Sequence, residues 1–392
     1  MYPNLYYAFK DLFGVEWTFL RFVNSFGFFV AIAFIVCAIV LANELKRKSK
    51  QGLFQPTEMQ VMVGQPATWQ DLLLNFFLGF LLGYKIIALF IMDDSATEDP
   101  QAFIFSTLGS WPAGIIVGLF LAGLKWWDKN KQKLPRPEKR TVRIWPHDRV
   151  GEITIIALVF GLLGAKLFDI FENWSDFLKH PSSYLFSPKG LTFYGGLICA
   201  ALAIWWYARK HKIGFWHIND ALAPTMMLAY SLGRIGCQVS GDGDWGIQNT
   251  SPKPISWLPD WMWSYRYPHN VNEEGSPIPG CLDDKFCNQL EVGVYPTSFY
   301  EIVACFILFL VLWSLRKKLT IPGTMFALYL MLNGLERFFI EKIRVNTTIN
   351  FFWLRPTQAE LISFILFISG MVLWIYLYRK AQRKKSTMPL DK

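Results

Sequence analysis

Charge is scarce in this chain. Only 18% of its 392 residues are Asp, Glu, Lys or Arg, against 53% hydrophobic and 17% aromatic, with 17 Trp and 34 Phe. A water-soluble core of that apolar fraction would leave too little polar surface to cover it, which excludes an ordinary soluble fold. Cysteine is sparse as well, and four of the six lie in or beside apolar runs with no metal-ligand spacing. No internal repeat of the kind that marks many transporters is visible. Nor is a cleavable signal peptide expected. The first apolar run, from near Trp17, lacks a basic leader and is too long for a signal core, so a retained helix is expected there. The formal net charge of +9 does not point to nucleic acid, because the basic residues fall between apolar runs instead of on one domain.

What is present is a series of apolar stretches of roughly 20 residues, each long enough to cross the hydrocarbon core as a helix. Nine are read, at 17–42, 71–92, 104–127, 151–171, 191–208, 217–233, 298–315, 323–343 and 358–378. The fold class is therefore an all-α polytopic membrane protein with a small external head between helices six and seven. Basic clusters recur on alternate sides, at Lys46 to Lys48, Lys125 to Arg149, Arg209-Lys210, Arg316 to Lys318 and Arg379 to Lys385. The positive-inside rule then places the amino terminus outside and the carboxyl terminus in the cytoplasm. Residues 1–70 hold the first span and a cytoplasmic loop, 71–127 an additional pair of spans, and 128–150 a basic cytoplasmic linker. Spans four to six follow at 151–233, the head at 234–297, spans seven to nine at 298–378, and a basic tail at 379–392. The head is rich in Trp, Pro, Gly, Asp and Asn. Its Cys281 and Cys287 are either a disulfide, as an oxidising compartment favours, or two free thiols.

Ionisable residues inside spans are costly and serve as functional pointers. The richest stretch is NGLERFFIEKIR at 333–344. Its Arg337, Glu341 and Arg344 are spaced four and three apart and share one helical face. Arg337 lies roughly 20 Å along its span, in the outer half of the membrane. The pair is either functional or a staple between two helices. A second segment, GRIGCQVSGDGDWG at 233–246, stands where span six emerges outside. Its glycines permit a tight turn with exposed N–H groups, and Arg234 offers a planar fork suited to phosphate. No Walker lysine follows, and Asp242 and Asp244 lack the spacing of a calcium loop. In LTFYGGL at 191–197, Gly195 and Gly196 leave room beside Tyr194 for a ligand or a neighbouring helix. YPTSFYE at 295–301 brings Tyr295 and Glu301 to the outer boundary, and Lys166 and Asp169 add charges near the outer end of span four. All fall on one side. Two arginines, a third nearby and a glycine turn describe a seat for the phosphate of a lipid headgroup.

These motifs, in this order, resemble the prolipoprotein diacylglyceryl transferase family of the bacterial inner membrane. The resemblance runs from Ser25-Phe26-Gly27 through GAKLFDIFEN at 164–173, FYGGL, the GRIG segment, YPTSFYE and GLERFFIEKIR to RPTQAELIS in the last span. It covers roughly 1–42 and 150–385 and leaves the pair at 71–127 outside. It implies transfer of the diacylglyceryl group of phosphatidylglycerol to the lipobox cysteine of a prolipoprotein signal peptide, with release of glycerol 1-phosphate. The substrate supplies the nucleophile, so no catalytic cysteine and no cofactor are implied. Catalytic roles would pass to Tyr194, Arg234, Arg337 and Glu341. Substrate binding would involve Arg234, Gly195, Gly196, Gly241, Asp242, Tyr295, Glu301 and Arg344. Two family histidines are replaced, by Tyr194 and Tyr295, and two family asparagines by Cys237 and Ser240, which leaves the general base open. The alternatives are a noncatalytic member and a lipid transporter or flippase. A transporter would need an ionisable path to the inner side, whereas the inner halves of the spans read as apolar.

Overall fold

The computed structural model describes residues 1–88, 103, 107–179, 181–186, 192–281, 285–346 and 356–387. The expected span ends at 89–92 and 104–106, together with Leu191, Arg355 and the last residues of the tail, lie outside them.

Among the described residues, ten helices of nine residues or more carry the architecture: α1 (Leu5–Phe13), α2 (Ser25–Lys50), α3 (Trp69–Leu82), α4 (Trp111–Lys131), α5 (Val150–Glu172), α6 (Phe193–Lys210), α7 (Phe215–Ser240), α8 (Thr297–Leu315), α9 (Thr324–Glu341) and α10 (Gln358–Thr387). Among the described residues, five helical stretches are long and apolar enough to cross a membrane: Ser25–Lys50, Trp69–Ile87, Pro146–Glu172, Thr297–Leu315 and Gln358–Arg383. Their outer faces are bare hydrocarbon, as at Phe77 (59% exposed), Leu163 (62%) and Ile365 (60%). Such faces belong in lipid, and the chain is a multi-pass membrane protein.

Boundaries moved where capping overrode hydropathy. The helix of the first expected span, α2, starts at Ser25, not near Trp17, because Asn24 accepts the Phe26 N–H at its N-terminus. Residues 18–22 form a short 3-10 turn instead, preceded by α1, a helix not expected from hydropathy. At the other end α2 runs on through Lys46 to Lys50, so that basic cluster is helical. The linker at 128–150 also contains a strand, β2 (Glu138–Ile144), antiparallel to β1 (Thr57–Val63). The inserted pair is thus a ribbon bearing a helical hairpin. Its helices touch backbone to backbone, Gly79 and Gly83 against Val117, Gly118 and Ala113. A side chain at either glycine would force them apart.

The remaining helices pair as α5 with α6, α9 with α10, and α7 with both α2 and α8. One apolar cluster, built from Cys37, Ala223, Met227, Leu228, Cys305, Phe309, Leu312, Met325 and Tyr329, fills the space between α2, α7, α8 and α9. The head follows α7. It is mostly irregular, with a short β3 (Ser276–Pro277) against β4 (Asn288–Gln289) and a small core of Trp245, Tyr267 and Val294. Cys281 and Cys287 are joined as a disulfide.

Candidate functional site

The segment expected to be an outer turn is helix for most of its length. Residues 233–240 continue α7, and the chain turns only at Gly241, whose left-handed φ of 64° ends the helix. Gly233 and Gly236 therefore offer no exposed anion-binding amides. What the extra helical turns do is aim Arg234 sideways into the bundle.

There, three guanidiniums meet three carboxylates. Glu301, near the start of α8 and wholly buried, is the hub. Arg234 Nε lies 3.1 Å from its Oε2, while Arg337 Nη1 at 3.0 Å and Arg344 Nη1 at 3.6 Å approach Oε1. The Tyr230 hydroxyl donates to the same Oε1 at 2.8 Å. Asp244 forms a second bridge, taking hydrogen bonds from Arg234 Nη1 and Arg344 Nη2. Glu341 closes the set, with Oε2 3.3 Å from Arg337 Nη2. Its other oxygen accepts from Thr357 Oγ1 at 2.7 Å and Asn346 Nδ2 at 2.5 Å, which ties α9 to the start of α10. Three isolated cations could not survive burial, so the carboxylates are what allow them to be held in place.

The loop after α7 shows the field of this cluster. Burial alone would push the Asp244 carboxyl up, yet Arg234 and Arg344 outweigh it and hold it below the ordinary aspartate value. Two residues earlier, burial and the like charge of Asp244 push Asp242 up. Cys237, Asp242 and Asp244 have ligand atoms mutually within 4.8 Å. Two guanidiniums already occupy Asp244, and their charge opposes a cation there.

The remaining predicted residues divide. Tyr194, at the start of α6, stands within electrostatic range of Arg337, Glu341 and Arg344 and joins the site. Gly195 and Gly196 do not line it. A side chain at Gly195 would strike Phe168 at 2.4 Å, and one at Gly196 the Gly161 carbonyl at 2.8 Å. Both let α6 lie against α5, the neighbouring-helix alternative. Gly241 packs beneath Asn270 and Met1, so it seats the head. Asp242 accepts the Asp244 N–H at 3.3 Å and braces the loop. Tyr295 sits in the head, its ring edge-on to Trp263 and its carbonyl accepting from Gly246. Lys166 and Asp169 pair with each other at 3.5 Å, with Tyr184 under the ammonium. Sequence reasoning missed Tyr230 and the bridging role of Asp244. An aspartate beside a glycine turn, ten residues after an arginine, was the available signal for the latter.

A buried cluster of arginines and carboxylates where the ends of membrane helices meet an irregular head defines a membrane protein built to handle an anion. A family model for prolipoprotein diacylglyceryl transferase matches residues 110–376, and the chain belongs to that family. The match takes in α4, which the motif resemblance left out. Among similar proteins is the phosphatidylglycerol–prolipoprotein diacylglyceryl transferase of Dehalococcoides mccartyi, 29% identical over 73% of this chain and 96% of its own length. The protein of that name from Clostridium novyi is 30% identical over 58% of this chain and 79% of its own. The Pseudomonas aeruginosa protein is 23% identical over 62% and 83%.

Proposed function

We propose that this protein transfers the diacylglyceryl group of phosphatidylglycerol to the lipobox cysteine of prolipoproteins. The product is a thioether and the leaving group is glycerol 1-phosphate. The observation that carries the reading is the convergence of Arg234, Arg337 and Arg344 around Glu301 at one end of the bundle. Arg234 and Arg337, together with Arg344, would bind the phosphate and stabilise the charge that grows on it as the carbon–oxygen bond breaks. Stabilisation of that kind is often the dominant source of rate enhancement. Glu341 would fix Arg337, and Tyr194 would orient the thiol or the leaving group. Gly241 and Asp242 would shape the loop beside the phosphate. Tyr295 would support the head above it. Glu301 is a poor candidate for the base, because its oxygens are already shared among three guanidiniums and a hydroxyl. A thiol titrates near ~8.5, and its proton would pass to the departing phosphate.

The same reading sets the protein in the bacterial inner membrane with nine spans. Its amino terminus and head lie outside and its carboxyl terminus in the cytoplasm. The basic ends of α2 and α6 and the Arg316 to Lys318 turn on one side support that orientation.

Direct transfer is the test. Purified full-length protein, phosphatidylglycerol and a synthetic lipobox peptide are incubated and the peptide is weighed by mass spectrometry. A gain of one diacylglyceryl group, absent with a Cys→Ser peptide, is expected. An unmodified peptide under conditions where the Dehalococcoides mccartyi protein succeeds would overturn the assignment.

A further inference from the structure

The guanidiniums of the cluster are already engaged. Arg234, Arg337 and Arg344 face Glu301, Glu341 and Asp244, so an arriving phosphate finds no unspent guanidinium. For it to bind between arginines, one carboxylate must leave. Glu301 cannot: it is fully buried and held by three cations and Tyr230. Glu341 is fastened through its second oxygen to Thr357 and Asn346. Asp244 differs from both. It is the one of the three on a loop, and its side chain is 30% exposed, against none for the other two. Its backbone is anchored, since its carbonyl accepts from Thr297 Oγ1 at 2.7 Å and Ser298 Oγ at 3.0 Å. The carboxylate can therefore swing out by side-chain rotation while the loop stays put.

We infer that the Asp244 carboxylate occupies the phosphate seat as an internal stand-in, and that the lipid phosphodiester displaces it from Arg234 and Arg344. This rests on the phospholipid reading above. A carboxylate spanning two guanidiniums presents two oxygens and one negative charge, and so does a phosphodiester. Exchange of one for the other leaves the charge of the cluster unchanged. The phosphomonoester released by the reaction carries more, about −1.5 to −2 at neutral pH. It shares the site with a displaced aspartate, and return of Asp244 to its arginines speeds its departure. Asp244 is thus a positioning residue that holds the arginines in place between turnovers and clears the product.

The experiment uses full-length protein in detergent, with glycerol 1-phosphate as the probe, for wild type and for Asp244→Asn and Asp244→Ala. Removing the stand-in frees two guanidiniums. Both variants are expected to bind glycerol 1-phosphate about tenfold more tightly by calorimetry. Its addition should raise their melting temperature more than that of the wild type, because ligand then replaces a missing buried partner. In the transfer assay the KM for phosphatidylglycerol falls, while product inhibition strengthens and kcat drops. Weaker binding of the probe by folded variants, or a raised lipid KM, would mean that Asp244 only props the arginines, and would overturn the inference. Unchanged binding would overturn it too. Failure of the phospholipid reading itself would show separately, as wild-type protein that transfers nothing to the peptide.

Discussion

The same helices carry buried ions at both ends, and the two ends are built differently. At one end, Asp220 in the first turns of α7 accepts the backbone N–H of Gly323 at 2.8 Å and of Phe326 at 3.1 Å. It thereby caps the N-terminus of α9, with Lys48 at 3.9 Å as its counter-ion. Beside it Glu44 is gripped by Arg47 at 2.5 Å and approached by Arg316 at 3.5 Å, whose guanidinium lies on the Trp313 ring. Asp220 satisfies a helix end itself, and Glu44 ties α2 to the end of α8 through its arginines. At the opposite end the ions satisfy one another, and one of them hangs from a loop. The first pattern fastens helices; the second keeps a set of cations available for exchange. Glu44, Lys48 and Asp220 are all buried at this end; Glu44 and Lys48 lie beyond the expected span at 17–42. The apolar cluster between α2, α7, α8 and α9 nevertheless lies between the two ends. An ionisable path of the sort a transporter needs is interrupted by it.

Substitutions can break or sharpen this contrast. The largest effect is expected for Arg234→Ala and Arg337→Ala, each lowering the transfer rate by about 10²–10³-fold or more. Arg316→Ala, at the other end, should stay within about fivefold of wild type in the same initial-rate assay, since it holds no substrate charge. Equal losses at the two ends would erase the distinction. Next comes Glu301→Gln, which removes the buried charge that three guanidiniums share. A loss of about 3–5 kcal/mol is expected, visible as a large fall in the thermal unfolding temperature in detergent. Asp220→Ala removes a helix cap and should cost about 0.5–2 kcal/mol by the same measurement. A cost as large as that of Glu301→Gln would show that the fastening end is the more strained of the two. The smallest effect is assigned to the Cys281→Ser, Cys287→Ser double variant. The bridge closes a six-residue separation, so little chain entropy is at stake and activity should remain within about twofold.

Much of the site was legible because lipid makes charge expensive. Arg337, Glu341 and Arg344 announced themselves by spacing within an apolar run, and the ion pair between Arg337 and Glu341 is present. Both readings of that pair hold in part: it fixes α9 to α10 through Thr357, and it sits in the cluster. Glu301 was seen as a boundary carboxylate, but its rank as the hub depends on residues 67, 36 and 43 positions away, which no local pattern can reveal. Gly195 and Gly196 show the opposite failure. Small size reads the same whether a ligand or a helix fills the space, and only the position of Phe168 and Gly161 decides for the helix.

Hydropathy by itself determined that the chain crosses a membrane and roughly where, because hydrocarbon tolerates only helices whose backbone groups are satisfied internally. Composition determined the irregular head between the later helices, and charge spacing determined which arginines matter. The tertiary structure decided the rest. It chose helix over turn for residues 233–240, paired the inserted helices by their glycines, and brought Asp244 between two arginines. The reason is physical. Burial in lipid acts on each segment separately and is written along the chain. The pairing of three arginines with three carboxylates exists only where three distant segments meet.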